Sequence, residues 1–344
     1  SRLARGRRGK RMLWYVIASL TPAVLIAAAA LWGGVWPVLA LLSITVHVVF
    51  MDRLGRALRL SDSSGRALTL TLAAAHFLLL PLGVWAIGAA PHLEGLDRAL
   101  IFAALGLFLG QISNSNAHEL IHASRRLPRR IGTAIYISLL HGHHVSAHLR
   151  VHHPAAATPA DPNSAPRGMG FWRFLLSASW GEFRAGWQAD SAQRARKTGA
   201  QGLHPYTLYL GGAALALHTA LLLGGVAVLL AYIGLAAYAQ MQLLLSDYVQ
   251  HYGLRREQRP DGRLEPMGPQ HSWNAPKWYS AAMMLNAPRH SDHHMRPARA
   301  FPALEVTQEM PKLPYSLPVM AVIALVPPLW RRVMDRRLAR WGQH

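Results

Sequence analysis

Long apolar stretches alternate along this chain with short, strongly basic ones, and the boundaries between them are sharp. Residues 12–51 hold no Asp, Glu, Lys or Arg, and neither do 67–93, 99–117 and 203–246. A helix rises about 1.5 Å per residue and the hydrocarbon core of a bilayer is about 30 Å thick. The first and last of these stretches are therefore about two crossings long, and the middle two are one crossing each. Helical periodicity adds little, because the segments are apolar nearly all round. Turn residues divide the first stretch: Gly33, Gly34 and Pro37 fall midway through it. The pattern predicts an all-α membrane protein of six transmembrane helices in three hairpins. The crossings are expected at about 12–32 and 36–51, 67–91 and 99–117, and 205–229 and 232–250. Segments 118–202 and 251–344 then form a cap on one side, and residues 1–344 read as one domain.

Charge fixes the orientation. The 344 residues are 51% hydrophobic yet carry 36 Lys and Arg against 16 Asp and Glu, a net charge of +20. Spread over a soluble surface, that excess would suit a nucleic-acid binder; crowded between apolar blocks, it is a topology signal. With the basic stretch at 2–11 placed in the cytoplasm, 52–66, 118–202 and everything after 247 are cytoplasmic too. Of the 36 basic residues only Arg98 then faces outward. The expected location is the inner, cytoplasmic membrane, with the cap on the cytoplasmic side and no nucleic-acid partner. A basic stretch before an apolar run also fits a signal peptide, but here the run continues far past Ala27–Ala30. Residues 313–330 are uncharged as well. Pro314, Pro318, Pro327 and Pro328 break helix there, and crossing would export the arginines just beyond, so this stretch reads as buried or interfacial. The absence of Cys excludes disulfides, thiolate zinc sites and iron–sulfur clusters.

Histidine is the unusual component, with 19 residues. His118 and His122, in HELIH, are four apart and share a helix face. His148, His152 and His153 repeat the four-residue step and add an adjacent ring; His290, His293 and His294 form HSDHH; His251 stands alone in QHYGL. All nine fall on the cytoplasmic side by an argument that never used them. One HxxxH pair is usually two surface histidines, but three boxes and a fourth histidine at matching depth are harder to dismiss. Nine neutral imidazoles beneath a bilayer need something to accept their lone pairs, and a metal does so. Nine rings are too many for one ion, whereas two ions with four or five nitrogens each fit the count. Imidazole suits zinc, copper, iron and nickel alike, so the donor set does not name the metal.

The remaining histidines read more simply. His47, His76 and His218 lie inside crossings as bundle hydrogen-bonders, and His141, His143 and His144 resemble a further box but are not counted as ligands. Carboxylates near the boxes are candidates to orient ligand rings through the second ring nitrogen. They are Glu119, Asp161, Asp247 and Asp292, with Asp292 favoured because it sits inside a box. His271, in HSWN, is a candidate pocket or supporting residue. Arg125, Arg126, Arg129 and Arg130, with Arg255 and Arg256, flank HELIH and HYGL. They suit docking of an acidic carrier, and ordinary positive-inside anchoring explains them equally well.

At these residues the chain resembles the membrane-bound non-haem di-iron monooxygenases of the alkane 1-monooxygenase and xylene monooxygenase family. The matching stretches are HELIH at 118–122, HLRVHH at 148–153 with ATPADPNSA at 157–165, HYGL at 251–254, HSWN at 271–274 and RHSDHH at 289–294. The resemblance implies two iron ions held by His118, His122, His148, His152, His153, His251, His290, His293 and His294. It also implies hydroxylation of a hydrocarbon's terminal methyl group with dioxygen, and rubredoxin or ferredoxin with its reductase as electron source. Where the family often carries Glu before the second box and before HYG, this chain has Ala147 and Gln250, and Ala123 stands where Lys often follows the first box. Elementary chemistry agrees with a redox metal, because an unactivated C–H bond offers no handle to acid–base or nucleophilic catalysis. No GxGxxG occurs, so electrons come from outside the chain. Substrate is expected to enter from the bilayer, with Trp85, Phe102 and Phe108 as candidates to set the accepted chain length. Two rivals remain: a membrane fatty acyl desaturase or fatty acid hydroxylase with similar boxes, and a metal transporter. A transporter's histidines belong near mid-membrane, whereas these lie at or beyond the helix exits.

Overall fold

The computed structural model describes residues 2–55, 65–199 and 201–341. Among these residues the only β features are two isolated bridges, and the rest is helix and connection. Helix α1 (Arg2–Trp32) is followed at once by α2 (Val35–Ile44) and α3 (Val46–Leu54). The expected turn between them is present: Gly33 and Gly34 have φ of 62° and 65°, the left-handed region that glycine enters without steric cost. The α2–α3 pair is bent by 42° between Ile44 and Val46, where Thr45 Oγ1 bonds back to Leu41 O at 2.6 Å and competes with the helical ladder. Next come α4 (Arg66–Gly88) and α5 (Gly95–Leu107), the latter running through a π-helical turn, Phe108–Ser113, into α6 (Asn114–Ile121).

The cap begins with α7 (Arg126–Ser138), α8 (His144–Ala147), a second π turn at His148–His152, α9 (His153–Ala155) and α10 (Phe171–Ala195). A 47-residue helix, α11 (Pro205–His251), returns to the apolar layer. It is interrupted at Gly224 and Gly225, where Gly225 has φ 67°. The break falls a few residues before the turn expected near 230, because the glycine pair, not the centre of the apolar run, supplies the non-helical backbone. Short helices α12 (Trp278–Met283), α13 (His290–Met295), α14 (Leu317–Ala324) and α15 (Pro327–Arg340) complete the chain.

Among the described residues four helices are long and apolar enough to cross a membrane: Met12–Trp32, Arg66–Gly88, Gly95–Ile121 and Pro205–His251. The bent α2–α3 pair makes a fifth if it counts as one span. Eight-residue α14 is too short to cross, and proline begins both it and α15, as the proline pattern of 313–330 leads one to expect. The cap is tied to the apolar helices by specific bonds. Asp52 Oδ1 accepts from the backbone N of Tyr279 and Ser280, both at 3.0 Å, in the first turn of α12. Trp278 Nε1 donates to Met51 O, and Asn286 Nδ2 bonds Tyr15 Oη, each at 2.6 Å. These bonds hold the loop before α13, and with it the last histidine box, in fixed register against α1 and α3.

Candidate metal centre

The nine box histidines converge into two sets. One comprises His118, His122, His148, His153 and His293; the other comprises His152, His251, His290 and His294, with candidate donor atoms in each set within 4.8 Å of one another. The local backbone explains the sorting. His118 and His122 are one turn apart at the end of α6. The second box lies in a π turn, whose bonds run i→i+5, so the residues at i+4 and i+5 straddle the one at i. His152 therefore swings to one set and His153 to the other. In α13 the i+3 and i+4 positions divide likewise, sending His293 to the first set and His294 to the second. The sets adjoin, with the His153 and His294 ring centroids 4.8 Å apart.

The nitrogens meet in a way that hydrogen bonding does not satisfy. Nε2 of His122, His148 and His153 are 3.0 Å apart in all three pairs, and His293 Nε2 lies 3.3 Å from His153 Nε2. In the second set His290 Nε2 is 2.9 Å from His251 Nε2 and 3.0 Å from His294 Nε2. A neutral imidazole nitrogen either carries a proton or offers a lone pair, so three in mutual contact cannot all be matched as donor and acceptor. Ligands about 2.1 Å from an ion and at right angles to each other stand about 3.0 Å apart, which is the spacing observed. Burial first, and then the crowd of neighbouring imidazoles, lowers His148, His153, His290, His293 and His294 well below the usual histidine range. They present neutral lone pairs, as ligands must. The residues fit a pair of metal ions.

The candidate supporting residues are placed differently from one another. Asp161 Oδ2 accepts from His152 Nδ1 at 2.9 Å, leaving His152 Nε2 to face the second set. The loop prepares this carboxylate: Ser164 Oγ donates to Asp161 Oδ2 at 2.6 Å and Asn163 N to Oδ1 at 3.1 Å. Burial works to raise Asp161, but His152 and Ser164 hold it below the usual carboxylate range. Burial works to lower His152, but the Asp161 carboxylate beside Nδ1 raises it to about 9. Asp292 points elsewhere, accepting from Arg296, Arg299 and Glu305 N at 2.9–3.0 Å. Glu119 Oε1 receives Phe301 N at 3.2 Å, and His271 Nε2 meets Glu265 Oε1 at 2.7 Å while its Nδ1 accepts Gly268 N. Arg125, Arg126, Arg129 and Arg130 are exposed; Arg255 and Arg256 are half-buried, and Arg256 bonds the backbone carbonyls of Glu265 and Pro154.

A cavity of 180 Å³ leads from the apolar layer to both histidine sets. Its outer walls are Leu107, Tyr238, Met241, Leu317, Ala321 and Val322, and its inner end reaches His118, His148 and His290. Trp85, Phe102 and Phe108 are not on its wall. Trp85 is exposed, Phe108 is fully buried, and Phe102 stacks on Tyr238 from behind at 6.0 Å. Asp247, reached through Asn163, also lines the inner end.

One group went unread in the sequence: Glu182, in the middle of α10, is buried among His141, His143 and His144. Burial would raise it, yet the three imidazoles hold it well below the carboxylate range. A lone Glu in a polar helix carries no spacing signal; the only hint was the run of histidines at 141–144.

The helical layers and paired histidine sets define a histidine-box membrane metalloprotein, and comparison with known proteins places it. A family model described as fatty acid desaturase matches residues 97–324, a span containing all nine histidines. Alkane 1-monooxygenase 1 of Alcanivorax borkumensis is 30% identical over 292 residues, covering 82% of this chain and 70% of that protein. Alkane 1-monooxygenase 1 of Pseudomonas aeruginosa is 33% identical over 282 residues, covering 80% and 73%. The hydroxylase component of xylene/toluene monooxygenase from Pseudomonas putida is 28% identical over 234 residues, covering 66% and 61%. The chain belongs to the fatty acid desaturase family and, within it, to the alkane 1-monooxygenases.

Proposed function

We propose that this protein is a di-iron alkane 1-monooxygenase, an oxidoreductase that hydroxylates the terminal methyl group of an alkane or similar hydrocarbon to a primary alcohol. The observation that carries the reading is the convergence of five and four imidazoles at the inner end of an apolar cavity open to the membrane layer. His118, His122, His148, His153 and His293 would hold one iron, and His152, His251, His290 and His294 the other. Iron held there supplies the redox chemistry with dioxygen that no side chain offers to an unactivated C–H bond. The chain's own residues do the rest. Leu107, Met241, Leu317 and Val322 take the alkyl chain out of water, and one end of the substrate would meet His118, His148 and His290, which line the same cavity. Asp161 holds His152 in one tautomer with its Nε2 aimed at the metals.

The six-crossing topology belongs to the same proposal. Gly212 packs on Ile137, while Tyr232 Oη bonds Ser138 O at 2.6 Å. Twenty residues of straight helix would separate Gly212 from Tyr232 by about 30 Å, so α11 doubles back at its glycine break into two crossings. Both of its ends then lie with the histidines, on the cytoplasmic side that the arginines indicate. Two electrons enter from a carrier such as rubredoxin or ferredoxin with its reductase, docking on the exposed Arg125, Arg126, Arg129 and Arg130 with Arg255 and Arg256 beside them.

The test is iron analysis of purified protein, then an assay with donor and reductase across alkanes, methylarenes and fatty acyl substrates. Expected are about two irons per chain and alcohol formed only with donor and dioxygen. An olefin from an acyl substrate would make it a desaturase, and metal flux without any product would make it a transporter.

A further inference from the structure

Outside the nine-histidine centre, one more cluster of metal-ligating side chains is present among the described residues. His141 and His144 from the α7–α8 turn meet Glu182 from the middle of α10, their candidate donor atoms lying within 4.8 Å of one another. The three side chains are at most 3% exposed, and His143 closes the rim at 15% with Nε2 3.4 Å from Glu182 Oε1. An ion pair accounts for one imidazole beside one carboxylate, not for three. Were all three protonated, two positive charges would stand uncompensated in a dry interior. His141 Nε2 lies 2.5 Å from Glu182 Oε1 and His144 Nδ1 3.2 Å from Oε2, so imidazole nitrogens crowd both oxygens of one buried carboxylate. The carboxylate is also held as a ligand should be: Asn163 Nδ2 donates to Oε2 at 3.1 Å and to Asp247 Oδ2 at 2.8 Å. The turn that presents the histidines is strained, with Leu140 at φ 55° immediately before His141.

We propose that His141, His144 and Glu182, with His143 at the rim, form a separate site for a single divalent cation of the zinc class. Two imidazoles and a carboxylate make a buried N2O set that His143 at the rim can complete to four, a combination zinc accepts in tetrahedral geometry and ferrous iron also tolerates. The ion's place is structural. It pins the turn before the second histidine box to α10, where the His144 ring lies 5.2 Å from the ring of His148. It shares no ligand with the nine-histidine centre.

The experiment counts zinc and iron by mass spectrometry in full-length protein purified in detergent. Wild type should carry about one divalent ion beyond the pair. Glu182→Gln and His141→Gln should lose that ion while keeping the pair, and His293→Ala should lose ions from the pair while keeping this one. Zinc-edge X-ray absorption of the wild type, which needs no variant to fold, should show about four N/O ligands with imidazole scattering. A wild-type total of about two after supplementation with zinc and iron, or a Glu182→Gln total equal to wild type, overturns the proposal. Failure of the pair alone would leave this site's ion in place and would count against the monooxygenase reading instead.

Discussion

At the scale of single residues, the ligand rings differ in what holds them. His152 donates Nδ1–H to a carboxylate that is itself fixed by Ser164 Oγ and Asn163 N. Removing that acceptor frees the tautomer and the ring orientation, and changes of this kind cost about 10–100-fold in metal affinity. Asp161→Asn should therefore lose iron to a chelator about 10–100 times more readily than wild type; equal retention would show that the bond does not position the ring. Asp161 was legible beforehand because it lies in a recognisable stretch eight residues after the second box. Asp292 was the favoured partner by proximity, yet on a helix the residue two after His290 points to the opposite face. Its carboxylate accordingly clamps Arg296, Arg299 and Glu305 instead. Glu182 was not legible at all, since its partners come from a turn some forty residues earlier and only folding brings them together.

At the scale of elements, helix existence was readable and helix interruptions were not. The apolar runs gave the long helices to within a few residues, because membrane length and the absence of charge leave few alternatives. The π turns at Phe108–Ser113 and His148–His152 have no comparable sequence signature, although the second decides which set each histidine joins. Helix α14 shows the same asymmetry. Its prolines explain why it does not cross, but not that its Leu317, Pro318, Ala321 and Val322 face close over the cavity. On the proposed reading, a chain-length determinant is expected on α14 and α11, which line the cavity, rather than at Trp85, Phe102 or Phe108, which do not. Ala321→Trp should fill much of the 180 Å³ space and shift products toward shorter alkanes, with turnover of the longest wild-type substrate falling by about tenfold or more, as for a misplacement of about 1 Å. Trp85→Ala should leave the product profile as it is. Gas-chromatographic profiles of alcohols from an alkane mixture decide both, and an unchanged profile in Ala321→Trp would remove α14 from substrate selection.

At the scale of the whole molecule, charge, topology and electron supply bear on one another. On the proposed topology all but one of the 36 basic residues collect with the histidines on one side, and the exception has its own explanation. Arg98 donates to the carbonyls of Ile87, Ala90 and Leu93 at 2.6–3.2 Å, serving the negative end of α4 rather than orientation. The proposed docking of an acidic carrier on the cytoplasmic side rests on this asymmetry. Arg125→Glu with Arg126→Glu should raise the donor concentration needed for half-maximal turnover by about tenfold, mostly through slower association, while iron content stays constant. An unchanged donor dependence would reduce these arginines to membrane anchors. The topology beneath that argument can be tested without any enzyme assay. The chain contains no cysteine, so any introduced thiol is the only one to react. Glu94→Cys, in the link between α4 and α5, should be labelled in intact cells by an impermeant maleimide. Ser124→Cys and Gln258→Cys, both exposed and close to the histidine boxes, should be labelled only after permeabilisation. Labelling of all three from outside would place the metal centre beyond the reach of a cytoplasmic reductase. The electron supply would then have to come from the external face, and the arginines beside the histidine boxes would lie there too, against the positive-inside pattern.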